Sequence, residues 1–309
     1  MVPAVPLGAP VDGFRLAYDR VGAGPPVVLL HGWPGSRHDY DDVVSLLVAD
    51  TELVVPDLRG FGESDRRDAP PAAYSAGGQA ASVVGLIEEL GLEPPVLVGY
   101  DVGSRVAQKV ARTRPVSALV LSPPLPGVGE RVLTPDAQRE FWYQPFHQLA
   151  LADELVAGQQ RVRTYLRHFW EHWSAPGWSP EPARFDALVE LYARPGAFAA
   201  SIAWYRAGSG TVAQARAARP PQQRLATPTT VLWPAHDPLF PVDWSDRLSE
   251  YFADVDLRVL PDAGHFVPLE APHELAAVIR AATGTSAAAR TGGTPGAGSG
   301  RCAGRGAGG

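Results

Sequence analysis

Short apolar runs bounded by glycine or proline, alternating with helix-like stretches, are the feature that most constrains this chain. Val27–Leu30, Leu53–Val55, Val96–Val98 and Leu119–Leu121 read as buried strands, preceded by an early strand over Phe14–Val21. Helices are expected from about Asp39 to Ala49, and from Ser75, a plausible N-cap, to Leu90, with Gly91 as the stop. Such alternation predicts an α/β fold: a mostly parallel, doubly wound sheet joined by right-handed crossovers. The pattern resumes late, with strands at Thr230–Trp233 and Leu257–Leu260 and helices at Pro241–Ala253 and His273–Ala282.

The interruption is as informative as the pattern. Between Ser122 and Thr230 lie 107 residues, too many for one connection in such a sheet. That stretch is helical in period and rich in Trp and Tyr. It reads as a helical cap inserted over the carboxyl edge of the sheet, where open α/β sheets bind ligands. The expected division is a first core segment at 1–124, the cap at 125–228, a second core segment at 229–283 and a disordered tail at 284–309. The tail is Gly, Ala, Ser, Thr and Arg without hydrophobic period, and could not offset its own ordering entropy.

Composition narrows the setting. At 45% hydrophobic and 19% charged the chain can bury a sizeable core. A net charge of −6 with no basic stripe gives no reason to expect nucleic acid or an anionic membrane surface. Cys302 is the single cysteine, so no internal disulfide is possible. With no signal peptide and no membrane-length apolar run, a cytoplasmic location is expected.

Three loops carry the chemistry. The strand Val96–Val98 runs into Gly99-Tyr100-Asp101-Val102-Gly103 and then a helix beginning near Ser104. This is the context of a nucleophile elbow, with Asp where Ser is usual. Asp237 follows the strand ending at Trp233, and His265 follows the strand ending at Leu260. Each ends a strand, so all three can meet on one edge, in the order nucleophile, acid, histidine. His31-Gly32-Trp33-Pro34 suits an oxyanion loop, with the backbone N–H of Trp33 joining that of Val102. His31 itself reads as a buried structural imidazole, and Asp57–Ser64 as a structural turn near the site.

The segments HGWP, DLRGFGESD, GYDVG, AHDP and AGHFVPLE resemble those of the epoxide hydrolase and dehalogenase branch of the α/β-hydrolases, over roughly residues 10 to 280. The resemblance implies a two-step reaction without cofactor or metal. An ionised carboxylate at Asp101 attacks an sp³ carbon, and His265, oriented by Asp237, then activates water against the alkyl ester. Similar dehalogenases hold the halide with Asn after the HG pair and Trp after the nucleophile; here those positions are Trp33 and Val102. Fluoroacetate-type relatives carry two arginines near the nucleophile, of which only Arg105 has a counterpart, and it reads equally as a helix-surface residue. Trp204-Tyr205-Arg206 and Phe141-Trp142-Tyr143 resemble the cap motifs from which epoxide hydrolases supply two acidic hydroxyls. The expected substrate, besides water, is therefore a small apolar epoxide bound by Tyr205 and Tyr143. A dehalogenase with an unusual halide site, or a non-catalytic ligand-binding member of the fold, are the alternatives.

Overall fold

The computed structural model describes residues 5–92 and 94–285. Among these, seven strands form one sheet: β1 (Tyr18–Val21), β2 (Pro26–Leu30), β3 (Glu52–Pro56), β4 (Val96–Gly99), β5 (Ala118–Leu121), β6 (Thr229–Pro234) and β7 (Val255–Leu260). Their spatial order is β1-β3-β2-β4-β5-β6-β7, with β1 antiparallel to β3 and every other pair parallel. The core helices are α1 (Asp41–Leu47), α2 (Ala76–Leu90) and α3 (Val102–Ala111). Between β5 and β6 come α4 (Pro135–Glu140), α5 (Tyr143–Phe146), α6 (Leu151–Leu155), α7 (Gln159–His172), α8 (Pro182–Ala193), α9 (Ala197–Arg206) and α10 (Thr211–Gln214). Two more, α11 (Val267–Glu270) and α12 (Pro272–Thr283), follow β7.

The physical reasons are local and legible. β4 and β5 are buried along their whole length, which only continuous apolar runs under helices on both faces tolerate. Ser75 caps α2 by accepting the Gly78 N–H at 3.3 Å, and Gly91 ends the helix in the left-handed region at φ 65°. The boundaries expected at 124/125 and 228/229 fall in the segments after β5 and before β6. Of the tail expected from Gly284, all but Gly284 and Thr285 lies outside the described residues, Cys302 included. Among the described residues no helix is long and apolar enough to cross a membrane.

Four expectations need correction. The early strand is only Tyr18–Val21, because Asp12 and Gly13, at φ 51° and 81°, make a tight turn across which Val11 and Phe14 exchange N–H···O bonds of 2.9 Å. Phe14 then packs with Tyr74 and Ala203 instead of continuing a strand. The helix expected between β2 and β3 is split into a 3₁₀ turn at Arg37–Tyr40 and α1, because Ser36 and Asp39 form a reciprocal cap that starts the first piece early. The stretch expected as a helix over 241–253 is a 3₁₀ helix at Val242–Glu250, whose apolar Val242, Trp244 and Leu248 fit either winding. Helix α3 starts at Val102, two residues before the expected Ser104, directly after Asp101.

Candidate active site

Asp101 sits between β4 and α3 with φ 48° and ψ −120°, a conformation that costs on the order of 1–3 kcal/mol for a non-glycine residue. The turn is held by close backbone approach. A Cβ on Gly103 would strike the Leu30 and His31 carbonyls, and one on Gly99 would fall on the Gly103 backbone. The Asp101 N–H donates to the Pro123 carbonyl at 3.0 Å, so the strained residue is tied to β5's exit as well. Its carboxylate therefore projects from a rigid turn.

The other two expected residues arrive on the same edge. His265 Nδ1 lies 2.8 Å from Asp237 Oδ2, and Asp237 Oδ1 accepts the Leu239 N–H at 2.8 Å. His265 Nε2 stands 3.5 Å from Asp101 Oδ2 and makes no hydrogen bond. All three side chains are buried, with 6% of Asp101, 4% of Asp237 and 1% of His265 exposed. Burial alone would lower the imidazole pKa, but Asp237 and Asp101 outweigh it and hold it up to about 10. The resting histidine is thus a cation between two carboxylates.

That charge has a consequence for stability. A histidine whose folded pKa lies above its ordinary 6.5 adds stability that is fully present below pH 6.5 and is lost as pH rises through about 10. Urea midpoints should therefore fall across that window. In Asp101→Asn, which removes one of the two carboxylates, the fall should be shallower. An identical pH profile for the two proteins would contradict the assignment of the charge to this triad.

The Trp33 N–H donates to Asp101 Oδ1 at 2.8 Å. Val102, at the first position of α3, presents one of the N–H groups that a helix leaves unpaired at its N-terminus. Trp33 lies in the loop after β2, and Val102 opens α3. The loop bearing Trp33 is pinned from the inserted helices. The Trp33 indole donates to Ser201 Oγ at 3.3 Å, the Trp170 indole donates to the Pro34 carbonyl at 3.1 Å, and the Tyr192 hydroxyl donates to the Gly35 carbonyl at 2.9 Å.

Tyr143 and Tyr205 are brought together. Their rings meet edge to face at 5.6 Å, Tyr143 stacks on Trp33 at 5.5 Å, and Tyr205 meets Trp33 edge-on at 5.8 Å. Burial, with the Asp101 charge adding to it, holds both phenols well above their ordinary pKa, so both stay protonated. His31 has a structural place: its Nε2 accepts the Leu58 N–H at 3.0 Å and its Nδ1 donates to the Gly32 carbonyl at 2.9 Å. The Asp57 loop is structural too. Burial would raise the Asp57 carboxyl, but its ion pair with buried Arg37 and the backbone N–H bonds it accepts from Arg37 and Glu63 keep it below the usual carboxylate range.

Several residues of this neighbourhood were not anticipated. His147 is buried among the rings of Trp33, Tyr205 and Tyr165; its Nε2 lies 2.9 Å from the Tyr165 hydroxyl and its Nδ1 has no partner. Burial, helped by Arg206, pushes its pKa well below 6.5, so it is neutral. Asp39 accepts the Tyr100 hydroxyl at 2.5 Å behind the turn, and its burial raises its pKa to about 7. Glu270 gathers the His265 loop: its Oε2 accepts the N–H groups of Ala175 at 2.7 Å and Gly264 at 2.9 Å, and its Oε1 accepts that of Phe266 at 3.0 Å. The His265 N–H donates to the Trp173 carbonyl at 2.8 Å. Only the Phe266–Glu270 spacing, one helical turn, was visible in the sequence.

A parallel sheet with a strained Asp turn and an Asp–His pair at neighbouring strand ends defines a hydrolase of the α/β class. The chain belongs to the alpha/beta hydrolase fold family, whose model matches residues 25–272. It is 28% identical over 278 residues to a soluble epoxide hydrolase of Corynebacterium sp. (strain C12), covering 85% of this chain and 92% of that one. It is 29% identical over 280 residues to haloalkane dehalogenase 2 of Mycobacterium tuberculosis (strain ATCC 25618 / H37Rv), covering 86% and 90%. Among solved structures, Cfl2 from Burkholderia cenocepacia superposes with a TM-score of 0.77 at 29% identity, covering 88% of this chain and 93% of that one. The relatives thus fall in the epoxide hydrolase and dehalogenase branch that the motifs resemble.

Proposed function

We propose that the protein opens a small apolar epoxide to a vicinal diol through an alkyl ester on Asp101, beneath a cap formed by the helices between β5 and β6. The Asp101 carboxylate attacks a ring carbon as the C–O bond breaks. The departing oxygen takes a proton from the Tyr143–Tyr205 pair. Alkylation removes the Asp101 charge, so His265 loses one of its two carboxylate partners, its pKa falls and its proton passes to the tyrosinate, leaving a neutral imidazole. Water then adds to the Asp101 ester carbonyl, neutral His265 taking one of its protons, and the Trp33 and Val102 N–H groups stabilise the oxyanion. Collapse expels the diol, whose departing oxygen takes the second proton of that water, and restores the Asp101 carboxylate and the His265 cation.

The observation that carries this reading is the pair of buried, protonated phenols beside Trp33, both sensing the Asp101 charge. An alkoxide needs an acid, whereas a halide needs N–H donors, and the Trp33 indole already donates to Ser201. A panel of styrene-type epoxides, haloalkanes and fluoroacetate tests it by the appearance of diol or halide; halide release without diol would overturn it. Within the reading, Tyr205→Phe is expected to slow ring opening about 10- to 100-fold, the range of a shared general acid. Breakdown of a preformed ester should be little changed. Single-turnover kinetics showing normal alkylation and slow ester hydrolysis would remove Tyr205 from this role.

A further inference from the structure

A cavity of about 330 Å³ lies where α3 faces the return from α10 to β6. None of Asp101, Asp237, His265, Tyr143, Tyr205 or Trp33 lines it. Arg105 lines it from α3, Arg112 from just past the end of α3, and Arg219 from the return segment. Gln108, Thr211 and Gln214 add polar groups, and no Asp or Glu is part of the wall. This runs against the bulk of the chain, whose net charge is −6.

Among the described residues none of the three guanidiniums makes an ion pair. Arg105 Nη2 donates to Thr211 Oγ1 at 3.2 Å, while its buried Nε donates to nothing. Arg219 Nη1 reaches only the backbone carbonyls of Arg216 and Ala218, at 2.9 and 2.8 Å. Arg112 makes no ion pair among the described residues. The nearby acids are engaged elsewhere: Asp246 with Arg131 at 2.9 Å and Glu250 with Arg247 at 2.6 Å. A buried guanidinium N–H without an acceptor, as at Arg105 Nε, carries a desolvation cost. A carboxylate or phosphoryl group has the paired oxygens that match the guanidinium fork. The remaining wall, including Leu125, Val128 and Ala215, suits a short organic body.

We propose that this cavity is a binding site for a small organic oxyanion, which would bridge α3 to the segment returning from the inserted helices. Arg105 is its inner wall and is also within electrostatic reach of Asp101. The test of the site reads binding, not turnover.

Calorimetric titration of the full chain with succinate and with inorganic phosphate, against sodium chloride of matched ionic strength, should give one saturable site for at least one probe. The bound probe should also raise the melting temperature. If succinate alone binds, the ligand is a carboxylate; if phosphate alone binds, it is a phosphoryl compound. The double variant Arg112→Ala, Arg219→Ala should weaken binding by about tenfold or more, since each removes charge-assisted hydrogen bonds. Its turnover of a neutral substrate without anion should match that of the parent. Should the double variant melt early, Arg112→Gln alone supplies the comparison. Absence of saturable binding by both probes, or equal affinity in parent and variants, would overturn the proposal.

Discussion

Replacing His265 with glutamine is expected to stop the reaction after one equivalent of substrate, with the enzyme held as a covalent ester. Attack requires only the Asp101 carboxylate and the two phenols, none of which depends on the imidazole to ionise. Release requires removal of a proton from water, which a carboxamide cannot do at neutral pH. Glutamine nearly fills the same space, and the loop is fixed through its backbone: the residue's N–H donates to Trp173, and Glu270 holds both neighbours. Intact-protein mass spectrometry should show a gain equal to the whole epoxide, because ring opening expels no fragment. A haloalkane would instead add its mass less hydrogen halide. The adduct should map to Asp101, in the tryptic peptide ending at Arg105. If the parent turns over and the variant carries no adduct, the covalent route is wrong and direct attack by activated water takes its place.

Asp101→Ala should lower turnover by about 10³-fold or more, the scale on which loss of a nucleophile is felt. The fold should survive. The turn is shaped by Gly99 and Gly103, whose missing side chains admit neighbouring backbone, and by the Asp101 N–H bond to Pro123, which alanine keeps. Far-ultraviolet circular dichroism should be unchanged. The Trp33 N–H and the His265 imidazole lose a carboxylate partner, so a change in stability with pH is expected even without a change in structure. Retention of a substantial fraction of epoxide opening would mean that another group attacks.

What the sequence revealed and what it concealed divide along a physical line. Asp101, Asp237 and His265 were legible because each is announced by its own strand and turn, and strand ends in a parallel sheet share an edge. Trp33 and Val102 followed from the same logic, since their N–H groups belong to the loop after β2 and the start of α3. Tyr143 and Tyr205 came from motif likeness, because nothing local says that residues so far apart in sequence will meet edge to face. His147 was invisible for the same reason: its surroundings are assembled from α5, α7, α9 and the core. Arg105 read equally as a helix-surface residue and as a carboxylate contact, and its bond to Thr211 in the inserted segment could not be read from its helix. The turn at Asp12-Gly13 carried a readable hairpin signal, overridden by the apolar alternation around it.

Glu270 has an implication for how chains of this kind could diversify. One carboxylate holds both the loop that carries His265 and the backbone just past α7, while Trp173 accepts from His265 itself. The inserted helices therefore share joinery with the His265 loop. A recombination event that exchanged residues 125–228 as a cassette would have to reproduce the backbone of Trp173 and Ala175 to within hydrogen-bond tolerance. Otherwise it would leave the histidine loop with dangling donors. Piecemeal substitution within the inserted helices is then easier to accommodate than wholesale trade. In this architecture the inserted helices and the His265 loop descend together.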